Sequence, residues 1–319
     1  MTDDNPVNES QQEPQSIDRM EASVTNAFVG PHGVRAGWRL LIYIAMVVVV
    51  GAIVTMAIVK LAGRPRGTPG PVALLGQEVL GFAIVIGAAW IMSRIERRSV
   101  GEYGLPADEL FGRKFWLGFS FGLVEIVALM GLISAFGGYS FGTLALEGSA
   151  IFKWGLFHLI LFTFVGFFEE FLFRGYMQYT LADGIGFWPA AILLSVGFGA
   201  VHLGNPGEGL MGAAGVVMVA LLFCFSLKRS GSLWYAVGLH ASFDWGETYL
   251  FSVPNSGTFM QGHLSNAVLH GPTWLTGGTV GPEGSVFCFL TLALQFLVVN
   301  WFFPAKRKET ASGEVLVQG

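Results

Sequence analysis

Val165-Gly-Phe-Phe-Glu169-Glu170-Phe-Leu-Phe-Arg174 places three ionisable side chains inside a stretch that otherwise reads as membrane helix. A charge at the centre of a bilayer costs about 3 kcal/mol or more unless it is paired or faces a wet cavity. The stretch therefore commits the chain to helices that bury polar groups against one another, and it marks a functional site.

Composition agrees. Of 319 residues, 53% are hydrophobic and 13% charged, with a mean hydropathy of +0.58, whereas soluble domains carry about 25% charged residues. Apolar runs recur near the roughly 20 residues that cross a hydrocarbon core. They predict spans at about 38–60, 72–93, 115–137, 152–181, 187–203, 209–227, 232–251 and 285–303. The expected fold is all-α, a polytopic transmembrane helix bundle of about eight spans. Trp38, Trp90, Trp116, Trp154, Trp188, Trp234 and Trp301 fall near span ends, as interfacial anchors do. The net charge of -4 gives no sign of a nucleic-acid partner. Cys224 and Cys288 lie within spans and read as packed thiols, not a disulfide.

Five segments follow. Residues 1–33 form a disordered polar tail without the layout of a signal peptide. Residues 34–149 hold N-terminal transmembrane helices and 150–251 a core that carries the ionisable motifs. Residues 252–284 make a long outer loop, and 285–319 the last transmembrane helix and a polar tail. With both termini cytoplasmic, thirteen Lys and Arg fall on inner segments. Only Lys60, Arg64, Arg66 and Lys153 fall on outer ones, the asymmetry that sets orientation. The loop is rich in Gly and turn residues, and loops of this length are functional or disordered. A cap, a partner-binding loop or a spacer all fit. Its His263 and His270 lack ligand-like spacing.

Within the spans, Glu170 and Arg174 are four apart, share a helix face and can neutralise each other. Glu169 is rotated about 100° from Glu170 and lacks that partner. Phe198 and His202 form an i, i+4 pair before the breaker run Gly204-Asn-Pro-Gly207, and His240 and Asp244 form another. A His and a carboxylate at that spacing can jointly bind a metal, a water or each other. Measured from the turn between the fourth and fifth spans, Glu169 and His202 lie at depths of about 20 and 22 Å. His240 and Asp244 lie at about 13 and 20 Å from the start of the seventh. Glu169, His202, His240 and Asp244 can thus share one layer in the membrane. Glu78 and Glu125 line the same cavity or contact backbone, and His158 reads as packing.

Glu169-Glu170-Phe-Leu-Phe-Arg174 reads as EExxxR, Phe198-Gly-Ala-Val-His202 as FxxxH and His240-Ala-Ser-Phe-Asp244 as HxxxD. In order and separation these motifs resemble the CPBP family of intramembrane proteases, which includes the CAAX prenyl endopeptidases and bacterial homologues linked to bacteriocin processing and self-immunity. The resemblance spans residues of about 150 to 250. It implies that Glu169 activates water, that His202 holds it, and that His240 stabilises the oxyanion. Glu170, Arg174 and Phe198 become supporting residues. The position of Asp244 is commonly Asn in the CAAX endopeptidases. An ionised Asp cannot donate to an oxyanion, so Asp244 can orient His240, bind a metal, or stay protonated.

The expected function is an intramembrane endopeptidase that hydrolyses a peptide bond near or within the bilayer by a glutamate- and histidine-activated water. Its partners are the lipid bilayer and a peptide or membrane-protein substrate. Glu169, His202, His240 and Asp244 could also hold a divalent metal such as zinc, which would itself activate water. The His-Glu-x-x-His helix of common metalloproteases is absent. Two other classes use similar residues. One is a catalytically inactive scaffold or immunity protein on the same fold. The other is a proton-coupled transporter, which would more often show paired repeats with broken helices; no such repeat is visible.

Overall fold

The computed structural model describes residues 28–30, 33–63, 69–305, 307–309 and 315–317. Most of both polar tails, together with Arg64 and Arg66, lies outside the described residues.

Eight helices form the body. They are α1 (Ala36–Leu61), α2 (Pro71–Glu96), α3 (Arg113–Ala135), α4 (Ser149–Ile185), α5 (Phe187–His202), α6 (Leu210–Ser230), α7 (Trp234–Trp245, continued by a π-helical turn Gly246–Leu250) and α8 (Val286–Phe302). Among the described residues, strand structure amounts to three short antiparallel pairs. Helices α1, α2, α3, α4 and α6 are each long and apolar enough to cross a membrane, and α5 and α8 are shorter and apolar. This is a multi-pass integral membrane bundle. Its outer faces carry exposed Val48, Ile53, Met56, Leu156, Ile192 and Leu297, an apolar surface that suits lipid.

Helix α7 is short because it sits in the middle. Trp234, Tyr235, Ala236, Val237, Gly238, Leu239, Ala241 and Ser242 are all buried. Glycines bring its neighbours into backbone contact. A Cβ at Gly118 of α3 would come within 2.0 Å of the Tyr235 carbonyl oxygen, and one at Gly122 within 2.3 Å of the Leu239 carbonyl oxygen. From the other side, a Cβ at Gly238 would come within 2.2 Å of the Phe115 carbonyl oxygen. Small residues at helix interfaces replace the hydrophobic drive that lipid removes. On α4, a Cβ at Gly166 would come within 3.2 Å of the Val237 carbonyl oxygen and 3.6 Å of the His240 Cβ. That approach sets the next turn of α4, with Glu169 and Glu170, beside α7.

Trp234 departs from the expected anchor role. It is 2% exposed and donates from Nε1 to the Pro106 carbonyl, 3.0 Å away. The chain just before α7 passes under Gly104, to whose carbonyl Leu233 N–H donates. This docks the start of α7 into the protein interior and not at the lipid headgroups. Trp90, Trp116 and Trp301 are exposed, as anchors should be. Cys224 and Cys288 are free and buried.

A polar hub ties α1, α2 and α4 together. Arg39 reaches Glu96 through Nη1 and Asp183 through Nη2, both at 3.0 Å. The Tyr103 and Tyr176 hydroxyls also donate to Glu96. Residues 252–284 fold over the bundle. Val268–Leu269 pairs with Tyr139–Ser140, His270 Nε2 meets Ser140 Oγ at 2.9 Å, and His263 Nδ1 bonds the Met260 carbonyl. His158 of α4, fully buried, holds the Gln261 carbonyl at 3.0 Å through Nε2.

Candidate active site

Two of the three motif helices, α4 and α7, change pitch just after their acidic motif residues. In α4 the π-helical turn Phe171–Tyr176 follows Glu170 at once, with Gly175 off the helical path at φ -81 and ψ -117. In α7 the π-helical turn Gly246–Leu250 begins two residues after Asp244. Such π-turns concentrate at functional sites because they re-aim side chains without ending the helix.

The side chains of Glu169, His202, His240 and Asp244 line one cavity of about 330 Å³. Helices α2 to α8 and the loop all contribute to its wall. Glu78 and Glu125, unassigned from sequence, line it too. Asn255, Ser256, Thr258 and Met260 of the loop close one side, so the loop lies as a cap over the cavity.

His240 is the junction. Its Nδ1 lies 3.0 Å from Glu170 Oε1, and its Nε2 lies 3.4 Å from Asp244 Oδ2 and 3.9 Å from Glu169 Oε2. Carboxylates face both ring nitrogens, so both are placed to donate. Its ring also stacks on Phe223, with centroids 5.6 Å apart.

Glu170 and Arg174 form the pair that their spacing predicts, at 3.3 Å with both side chains fully enclosed. Arg174 lies with its guanidinium carbon 4.3 Å from the centre of the Phe198 ring, with Phe173 and Phe223 also beneath it. Aromatic faces attract a desolvated cation. The same Phe198 ring meets the His202 ring at 4.4 Å between centroids. Phe198 therefore joins the Arg174–Glu170 pair to His202. Sequence spacing missed the bond from Glu170 to His240, because the two lie 70 residues apart and meet only once α4 and α7 pack.

His202 Nδ1 lies 2.9 Å from the Phe198 carbonyl of its own helix. A carbonyl only accepts, so Nδ1 carries the proton and Nε2 is left as an acceptor in the neutral ring. Metal binding needs convergent donors. Among the described residues, no group of three His, Cys, Asp or Glu side chains stands in a metal-holding arrangement, and Glu169 and Asp244 approach the same His240 nitrogen.

Two further carboxylates occupy the wall, Glu247 one turn beyond Asp244 and Glu283 at the end of the cap. Helical spacing from Asp244 could have pointed to Glu247. Nothing local points to Glu283, which the chain brings back from 36 residues further on. Burial pushes the Glu283 carboxyl above the usual carboxylate range, against a hydrogen bond with Glu247 that pulls it down, and nearby Asp244 adds to the rise. Burial also raises Glu208, in the turn between α5 and α6.

A multi-pass helical bundle with a partly open acid–histidine cavity at the meeting of its central helices defines the class of protein. Residues 151–246 match the family model described as type II CAAX prenyl endopeptidase Rce1-like, a segment that takes in all three motifs. That segment is similar to a Rce1-like domain, consistent with the CPBP proteases that the motifs resemble. The family supports a protease role. No curated protein and no solved structure matches the chain.

Proposed function

We propose that the protein is an intramembrane endopeptidase that cleaves a peptide bond with a water activated by Glu169. The observation that carries this reading is the convergence of Glu169, His202, His240 and Asp244 on one cavity, with His240 held by Glu170.

Each role follows from donor and acceptor chemistry. Glu169 accepts a proton from water as the water oxygen attacks the scissile carbonyl. His202 Nε2, an acceptor, receives a hydrogen bond from the other water O–H, which stays on the attacking oxygen, and fixes the direction of attack. The carbonyl oxygen becomes an oxyanion and accepts from His240 Nε2–H, which is prearranged for it. The C–N bond then breaks, and Glu169 returns its proton to the leaving amine. Asp244 Oδ2, 3.4 Å from the same Nε2, accepts that N–H in the resting site and yields it to the oxyanion as it forms, while Glu170 holds the ring at Nδ1.

Purified protein and a library of peptides in detergent or bilayer provide the test. Glu169→Gln, His202→Ala and His240→Ala should each lower cleavage by about 10²- to 10⁴-fold, the range for a lost acid–base group, with the fold retained by thermal unfolding. Chelator should leave wild-type cleavage intact. Full activity in Glu169→Gln would overturn the assigned base, metal-restored activity after chelation would replace glutamate-only chemistry, and absence of cleavage across the library would favour a scaffold on this fold.

A further inference from the structure

Two carboxamides, Asn205 and Asn255, line the cavity and have no part in the proposed hydrolysis. Each sits on a tight turn that engages its own backbone groups. After α5, Asn205 N–H donates to the His202 carbonyl at 2.8 Å, and the Asn205 carbonyl accepts from Glu208 N–H at 3.2 Å. In the cap, Asn255 and Thr258 exchange two backbone bonds of 3.0 and 2.8 Å around Ser256 (φ 44) and Gly257 (φ 77). Two successive left-handed residues are what a two-residue hairpin turn of type I′ requires.

The two turns pack on each other. A Cβ at Gly257 would collide with the Pro206 carbonyl, and one at Gly207 with the Thr279 hydroxyl. Gly257 N–H donates to the Val280 carbonyl at 2.7 Å, and Ser256 N–H donates to Glu283. Pro206 follows Asn205 directly, and Gly257 lies two residues after Asn255. The contact between the turns therefore sets both amides at one edge of the cavity, beside His202.

Their side chains are left over. Four asparagines lie among the described residues. Asn266 donates to the Thr143 hydroxyl and Asn300 accepts from Arg229. The side-chain amides of Asn205 and Asn255 meet no protein partner among the described residues, and Asn255 Nδ2 is also sealed from solvent. A buried N–H without an acceptor is costly, and folded chains rarely leave one. A half-turn of the amide about Cβ–Cγ exchanges Nδ2 with Oδ1, so Asn255 can present either atom to the cavity.

We propose that Asn205 and Asn255 clamp the peptide backbone of the substrate next to the scissile bond. A carboxamide carries an N–H donor and a C=O acceptor side by side, the same two groups that a peptide unit offers. In an extended chain those groups are free, whereas in a helix the i to i−4 bonds occupy them. The clamp therefore admits an unwound stretch and reads its backbone, not its side chains. Asn205 is tied to the His202 carbonyl, and a residue of extended chain covers about 3.4 Å. The peptide units held thus lie within about two residues of the bond cleaved. The inference rests on the endopeptidase reading and adds to it the form in which the substrate is taken.

The test replaces single backbone amides of a cleaved peptide by esters, which removes one N–H, weakens one carbonyl acceptor and keeps every side chain. One ester at a time goes into each of the two peptide units on either side of the scissile bond, and product masses verify the bond cleaved. In wild type, an ester in at least one position should lower kcat/KM by about 2- to 10-fold, the range for one neutral hydrogen bond, through a higher KM. Asn205→Ala and Asn255→Ala should raise KM for the all-amide peptide by a similar factor, with thermal unfolding little changed because no internal bond is lost. In at least one of these variants that ester should then cost nothing further, the coupling expected of groups in contact. A variant that merely disturbs the fold loses activity equally on amide and ester, and either variant alone suffices for the comparison. In a second arm, tryptophan fluorescence follows binding of the same peptides to the Glu169→Gln protein, with and without the Asn substitutions. An ester penalty in binding that the Asn substitutions abolish supports the clamp even where no peptide is cleaved, and absence of cleavage then counts against the endopeptidase reading alone. The clamp is overturned if no ester weakens wild type in either arm, if esters cost the variants as much as wild type, or if the Asn substitutions lower kcat at constant KM.

Discussion

Glu170 shows how much one buried carboxylate can do. It neutralises Arg174 on its own helix and holds His240 of α7 through Nδ1. Both partners depend on it, and Arg174 in turn covers Phe198, which packs on His202. Glu170→Gln keeps an oxygen that can accept from His240 but removes the charge. Its kcat should fall by about 10- to 100-fold, as when the group that orients a catalytic His is lost, with KM little changed because substrate contacts remain. Steady-state kinetics on one peptide checks this, and a rise in KM at constant kcat would place Glu170 in substrate binding. Arg174→Ala leaves Glu170 buried and partly unpaired, a change of about 3–5 kcal/mol, and should appear as a large loss of thermal stability.

At the scale of elements, the contact between α3 and α7 rests on glycine. Gly118, Gly122 and Gly238 let the two backbones touch, and α7 in turn carries His240 and Asp244. A methyl at Gly122 meets the Leu239 carbonyl and the Ser242 hydroxyl, both at 2.3 Å. Gly122→Ala should therefore destabilise the protein by about 1–3 kcal/mol, the usual cost of overpacking, and displace His240 enough to reduce cleavage. Gly131→Ala, on the same helix with open space around its Cα, should leave the melting temperature unchanged or slightly higher. Thermal unfolding of the two variants side by side makes the comparison.

At the scale of the whole molecule, the cap joins the bundle through carboxyl groups that titrate. The Glu283 carboxyl is raised in the folded protein, so the folded state holds its proton more tightly than the unfolded chain does. Its contribution to stability is therefore full below the ordinary carboxylate pKa and is lost as pH rises through the raised value. Glu283→Gln, which is neutral at every pH, should flatten this part of the profile. Melting temperatures of wild type and variant should converge at low pH and separate as pH rises, with the variant the more stable. Parallel profiles would show that Glu283 ionises as freely in the folded protein as in the unfolded chain.

The order of the helices was legible in the amino-acid sequence, and five of them are long and apolar enough to cross a membrane, because an apolar run near 20 residues has few alternatives to a membrane helix. The shared cavity of Glu169, His202, His240 and Asp244 was legible as a matter of depth, since helical rise converts residue number into height. Rotation and neighbourhood were not. Trp234 stands at a helix end like an anchor and is buried, because its helix starts inside the bundle. Glu170 carries the spacing of a local ion pair and also holds His240, and Glu283 meets Glu247 across a loop with no periodic signal. Sequence by itself determined which groups must leave the lipid and at what height. Only the tertiary structure decided which of them meet, because helix rotation and loop closure are set by backbone contacts such as those of Gly122 and Gly238, between residues far apart in the chain.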